Sequence, residues 1–385
     1  MKPTCTMIWV LAALFGGCGA RTVHLDETPS PGGTTVPPVG GGGGFNVDPA
    51  VPGASVVIAD QDLVPGFLVD ETRVYWHTSN KTRLGGAFVR SCQKANCASS
   101  VTTYDSKEPG GSMGGSYSSG VGFTRLAVDA SNLYWASHVD SGFQAISSCP
   151  IGGCMGAPRL VRSVTDLSSM VVDGQYLYWT APSDTAVLRC PLSGCAGAAE
   201  AVALNQSQPG EMAVNRTHVY WVANPGAANS AIVRAVKDGT GQPETIASDQ
   251  NQAWALTLDA QFVYWTNRYS IGTISRCPLD GCSGSPTVLA SNQDRPTAVA
   301  ADGKEVFWIN SGSNPATGVA ISVTLLKCLA ETCASTVEVL GSPFILLSAT
   351  VQALALDATH VYWLSHGKSI AYDEYPQASV SRMMK

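Results

Sequence analysis

The sequence predicts an all-β fold, a seven-bladed β-propeller with four antiparallel strands per blade. Three observations lead there: a recurring Tyr-Trp strand, a repeat length that holds four strand signals, and chain ends that complete each other. The pair recurs as "VDETRVYW", "VDASNLYW", "VDGQYLYW", "VNRTHVYW", "LDAQFVYW", "ADGKEVFW" and "LDATHVYW". Trp76, Trp135, Trp179, Trp221, Trp265, Trp308 and Trp363 are therefore separated by 59, 44, 42, 44, 43 and 55 residues. A period of roughly 40–45 residues built from strands is the length of one propeller blade.

Within a repeat the four strands can be read directly. In the most regular copy they are "ALTLD" (Ala255 to Asp259), "FVYWT" (Phe262 to Thr266), "TISRC" (Thr273 to Cys277) and "TVLAS" (Thr287 to Ser291), rich in β-branched and aromatic residues and separated by turn residues. The last copy ends with "ASVSRMMK" (Ala378 to Lys385), which corresponds to a third strand, so the seventh blade lacks a fourth. The missing strand is at the other end of the chain. "ASVVIADQD" (Ala54 to Asp62) precedes the first repeat and matches "TVLASNQD", a fourth strand without a blade of its own. Pairing the two ends closes the ring and removes an exposed sheet edge.

Ahead of the ring, residues 1–18 read as a lipoprotein signal segment and 19–54 as a disordered Gly/Pro-rich tether, leaving 55–385 for the propeller. The apolar run from Met7 to Phe15 is too short to cross a bilayer core of about 30 Å as a helix and fits an export signal. "FGGC" resembles a bacterial lipobox, which implies lipidation at Cys18; Phe15 stands where Leu is usual, and secretion after Ala20 is the alternative. Gly40 to Gly44 are not a phosphate loop, because no Gly-Lys-Ser/Thr follows. Localisation is thus expected at a bacterial cell envelope, with the membrane reached through an N-terminal lipid anchor, or in the exterior. A formal net charge of −6 excludes the basic groove of a nucleic-acid binder.

The Val-Tyr-Trp-Thr strands resemble those of the YWTD propellers of the low-density-lipoprotein-receptor family, and of bacterial propeller lipoproteins, over about residues 55 to 385. No copy carries Asp after Tyr-Trp-Thr, and the receptor family has six blades. The resemblance implies a fold and carries little about ligands.

Ten cysteines fall in five pairs with four residues between: "SCQKANC", "SCPIGGC", "RCPLSGC", "RCPLDGC" and "KCLAETC". The fourth repeat, "RAVKDGT", has Ala235 and Thr240 at both places, so the two cysteines are lost together. Joint loss is what a bond between them requires. Residues flanking a tight hairpin lie about 4.5–5.5 Å apart at Cα, within disulfide range. The expected bonds are Cys92–Cys97, Cys149–Cys154, Cys190–Cys195, Cys277–Cys282 and Cys328–Cys333, in an oxidising location. A zinc site would need two pairs side by side, whereas each pair belongs to a different blade; no metal and no cofactor is expected.

Catalytic patterns are weak. "GGSMG" (Gly110 to Gly114) has the letters of a nucleophile elbow but lies in a Gly/Ser loop rather than between strand and helix. "SHGK" (Ser365 to Lys368) lacks the companion motifs of the Ser-x-x-Lys enzymes. Asp70, Asp129, Asp173, Asn215, Asp259, Asp302 and Asp357 recur before each Tyr-Trp strand and read as turn caps. The recurring tryptophans read as packing between blades, and Gln61, Gln206, Gln250 and Gln293 as partners of repeated polar groups. The innermost strands, taken as "FLV", "LAV", "MVV", "MAV", "LTL", "VAA" and "LAL", contain no charge and only Thr257 as a polar residue.

Function is therefore expected in the loops. Connections leaving the second and fourth strands emerge on one face, and they are enlarged around blades one, six and seven: Thr78 to Gly86, Asp105 to Gly122, Asn310 to Gly318, Gly341 to Thr350 and His366 to Ala378. Such a sector is where a repeat scaffold binds. The expected ligand-contacting residues are His138, Tyr117, Asn314, His366, Tyr372 and Tyr375, with no catalytic residue assigned. The expected role is a non-catalytic binding or scaffold module for a protein or glycan partner. The alternative is a periplasmic or surface enzyme of lyase or glycan-hydrolase type with loop-borne catalytic groups.

Overall fold

The computed structural model describes residues 16–17, 51–62, 66–78, 87–107, 126–138, 144–195, 197–313, 320–344, 353–366 and 377–385. They form seven antiparallel sheets, one per repeat, in the order first to fourth strand. In the fifth blade the strands are Ala253–Leu258, Phe262–Asn267, Gly272–Pro278 and Thr287–Gln293. The last three enclose the segments read from the sequence and lengthen them by one or two residues; the first begins two residues earlier than read and ends at Leu258, leaving Asp259 in the turn.

The two chain ends meet in one sheet. Ser55–Asp62 runs antiparallel to Gln377–Met384, with Val56 opposite Ser381 and Gln61 opposite Ala378. Beyond that pair lie His360–His366 and then Leu354–Leu356 at the centre of the ring. Val51 is buried in the cluster that joins blades six and seven. A two-residue strand, Gly16–Gly17, pairs with the inner strand of blade four at Val214 and Ala213; both glycines fall in the segment that the sequence reads as an export signal.

Blades are joined by one repeated contact. Each tryptophan of these pairs is at most 2% exposed, and it shares an apolar cluster with the tyrosine, or in blade six the phenylalanine, of the preceding blade. Trp265 packs with Tyr220, Trp308 with Tyr264, and Trp363 with Phe307. Trp76 of blade one packs with Tyr362 of blade seven, so the same contact crosses the seam. Burying an aromatic side chain of this size contributes roughly 3 kcal/mol or more.

Polar partners reinforce these contacts. The Trp265 indole donates to Gln250 at 3.0 Å and Trp308 to Gln293 at 2.8 Å, in each case reaching back to the fourth strand of the blade before. Trp135 donates to Asp105 in the same way at 3.3 Å. Two of the recurring glutamines thus hold indoles. Gln206 donates to the Leu204 carbonyl as Gln250 and Gln293 do to Ser248 and Ser291, and the Gln61 side chain lies outside the described residues.

Five disulfides close the turns between third and fourth strands, with Cα–Cα distances of 4.8 Å for Cys92–Cys97, 5.2 Å for Cys149–Cys154, 5.0 Å for Cys190–Cys195, 5.3 Å for Cys277–Cys282 and 4.9 Å for Cys328–Cys333. They are the pairs that the spacing predicts, and their number points to an oxidising, extracytoplasmic compartment.

Candidate functional site

A propeller has two faces, and here they differ in chemistry. On the turn face, which carries the connections from first to second and from third to fourth strand, polar groups satisfy one another. Asp259 accepts the backbone N–H groups of Gln261 and Phe262, both at 2.7 Å, and the Tyr264 hydroxyl at 2.5 Å. Asp129, Asp173 and Asp357 do the same with Tyr134, Tyr178 and Tyr362. Burial first, and then the Asp partner, pushes these phenols above the ordinary tyrosine range. The capping role read from the sequence holds, and it extends to a clasp between blades. Lys237 of blade four reaches Asp173 of blade three, Lys385 of blade seven reaches Asp302 of blade six, and Lys94 of blade one reaches Asp357 of blade seven.

The opposite, mouth face carries the connections from second to third strand and from each blade to the next. Among the described residues the sixth blade has the longest second and third strands. Its second and third strands, Glu305–Ser313 and Ala320–Leu329, stay paired out to Ser313 and Ala320. Part of the stretch read as the loop Asn310 to Gly318 is therefore a hairpin extension. Likewise Gly341 to Phe344 belong to the fourth strand, Glu338–Phe344. His138 and His366 end the second strands of blades two and seven, opposite Gln144 and Ala378, which confirms their equivalent places. Their side chains, and Tyr117, Asn314, Tyr372, Tyr375 and Cys18, lie outside the described residues.

Around blades four and five the mouth is fully described. Arg268 occupies the repeat position of His138 and His366, three residues after the Trp, and its N–H bonds the Gln252 carbonyl at 2.8 Å. Its guanidinium lies over the Trp254 ring, 4.4 Å from the centroid. Tyr269 and Ile271 follow it, 45% and 65% exposed. In the next repeat Arg295 takes the place of Gln252, and its carbonyl accepts the N–H and hydroxyl of Ser311, each at 3.1 Å. Gln208, Gln252 and Arg295 all have positive φ, 40°, 60° and 50°. Three successive blades thus place a long polar side chain where glycine would fit without strain.

The inner strands correct one reading. In blades two and seven they are the apolar triplets themselves, but in the other five they begin one to three residues earlier, and the added residues include polar ones. Ser169, Glu211, Trp254 and Thr297 all lie in or at the start of them. Glu211 sits where the register between Pro209 and Met212 shifts, so that an extra residue bulges from the strand. Its side chain is 9% exposed, and burial pushes its carboxyl up to about 8. Among the described residues no group of three or more His, Cys, Asp or Glu is placed to hold a metal ion.

No protein-family model matches the chain, and no curated protein matches it. Solved structures that share its fold do so at low identity. A nidogen/laminin complex matches at 15% identity over 69% of this chain and 92% of that one, with a TM-score of 0.43. One of two prolyl endopeptidases matches at 12% over 83% of this chain, TM-score 0.49; the chain spans 48% of that protein. TolB from Acinetobacter baumannii matches at 13% over 70% of this chain and 65% of its own, TM-score 0.45. These are likenesses of fold.

Proposed function

We propose that this chain is an exported binding module. A lipid on Cys18 and the Gly/Pro-rich tether hold it at the cell envelope, and the mouth face of the ring takes a protein or glycan partner. The difference between the two faces carries this reading. The turn face is occupied by Asp–Tyr–Lys clasps and disulfides that hold blades together. The mouth face carries the connections in which repeats diverge, the extended hairpin of blade six, and the exposed Tyr269 and Ile271. Aromatic and Arg side chains supply contact area and directed hydrogen bonds at modest entropic cost. His138, Tyr117, Asn314, His366, Tyr372 and Tyr375 extend this surface around blades one, two, six and seven.

Binding is favoured over catalysis because a hydrolase or lyase acting on glycans needs a pair of cooperating groups. Glu211 is the one ionisable side chain in the described inner strands and has no second carboxylate beside it in them.

Glycan and peptide arrays probed with the purified protein test the proposal. Binding lost in Tyr269→Ala and in variants with shortened 105–122 and 366–378 loops, with the ring still folded, is the expected result. An array silent throughout, or binding unchanged in all these variants, refutes it. Loss of palmitate labelling in Cys18→Ser tests the anchor.

A further inference from the structure

The geometry points to an oxyanion subsite at the mouth between blades five and six, where Arg268, stacked on Trp254, and Arg295 of the neighbouring link take a carboxylate, sulfate or phosphate group of the ligand. This deepens the reading of the mouth as the binding face and rests on it.

The two guanidinium groups come from neighbouring connections. Arg268 begins the link between the second and third strands of blade five, and Arg295 ends the link from blade five to blade six. The links touch: a Cβ added to Gly272, where the blade-five link ends, would lie 2.6 Å from Pro296 Cδ. Each arginine is held by its backbone, Arg268 through the Gln252 carbonyl and Arg295 through Ser311.

Like charges on the two adjoining links oppose each other. Burial first, and then the charge of Arg295, lowers the hold of Arg268 on its proton. Arg268 forms no ion pair among the described residues, and its Nε is buried without a hydrogen-bond partner. A half-buried charge in that state is costly unless something pairs with it. Stacking on Trp254 fixes the plane of the guanidinium and leaves its edge for in-plane acceptors. An oxyanion meets both needs: it accepts paired N–H bonds from a planar fork, and its charge offsets the repulsion between the two arginines.

Isothermal titration of the purified protein with sodium phosphate, sodium sulfate and sodium acetate, each against sodium chloride at equal ionic strength, tests the subsite and separates the three sources of the group. Saturable binding of at least one ion is expected, weakened about tenfold or more in Arg268→Gln and in Arg295→Gln. Arg159→Gln, a change at an exposed position on blade two, is expected to bind as the parent does. Absence of saturable binding for all three ions, or equal binding in all four proteins, overturns the subsite. The array separates this from the larger reading. Array binding that depends on Tyr269, with no oxyanion bound, removes the subsite and leaves the face; saturable, arginine-dependent oxyanion binding with a silent array upholds the subsite and removes the partner.

Discussion

Lys94 of the first blade lies with its ammonium 3.3 Å from the Asp357 carboxylate of the seventh, and both side chains are fully withdrawn from solvent. The pair sits at the seam where the ring closes, with Lys94 also 4.8 Å from the centre of the Tyr362 ring. Burial lowers the Lys94 ammonium to about 8 against the pull of Asp357. Burial would raise Asp357, but the Tyr362 hydroxyl, backbone N–H groups and Lys94 outweigh it and hold the carboxyl below its usual range. Removing one partner strands the other, at about 3–5 kcal/mol. Lys94→Met should therefore lower the urea midpoint sharply, and Lys94→Met with Asp357→Asn should recover part of the loss. An unchanged midpoint in the single variant would show that the seam does not depend on the pair.

Closure by the N-terminal strand makes a second prediction. Deleting residues 55–62 exposes the edge of Gln377–Met384 and uncovers Val380, which packs with Ile58. The truncated protein should melt lower and aggregate on standing. A truncated chain as stable as the parent contradicts a ring closed in this way.

The disulfides pin turns locally. A six-residue loop gains about 2 kcal/mol in the chain-entropy model. Non-reducing peptide mapping should recover only the five pairs five positions apart, and replacing Cys277 and Cys282 together, as the fourth repeat does naturally, should cost about 2 kcal/mol or less. Any bond between blades in the map would sink the assignment.

Glu211 predicts a pH effect with a definite sign. Its carboxyl is raised from 4.5 to about 8 in the folded protein, so between those values the folded state keeps a proton that the unfolded state has released. Stability then falls as pH rises through that window. At about 1.4 kcal/mol per pH unit the loss has a ceiling near 5 kcal/mol. Glu211→Gln should match the parent near pH 4 and exceed it increasingly up to about pH 8, read by melting temperature. Parallel pH profiles of the two proteins would show that the carboxyl titrates normally.

The ring was legible because its elements repeat. Tyr-Trp marks the second strand of every blade, and the ends of the chain each hold part of one sheet. The disulfides were legible from joint loss at Ala235 and Thr240. The clasps were not read, although Lys94, Lys237 and Lys385 share one place, two residues after the first cysteine position; the signal was positional and weak, since Ile151, Leu192, Leu279 and Ala330 fill that place elsewhere. Glu211 escaped because a bulge, which periodicity does not reveal, lengthens its strand. Arg268 stood at the position of His138 and His366, so that comparison across repeats could have found it. Its stacking on Trp254 and its nearness to Arg295 arise from folding and are invisible in any single repeat.

The central claim, that the ring works through its mouth face, is tested most directly by hydrogen exchange with and without the strongest array ligand. Protection is expected at residues 268–272 and 295–297 and in the hairpin of blade six near Ser313 and Ala320, with turn-face segments such as 259–262 and 278–282 unchanged. Protection confined to the turn face would contradict the account.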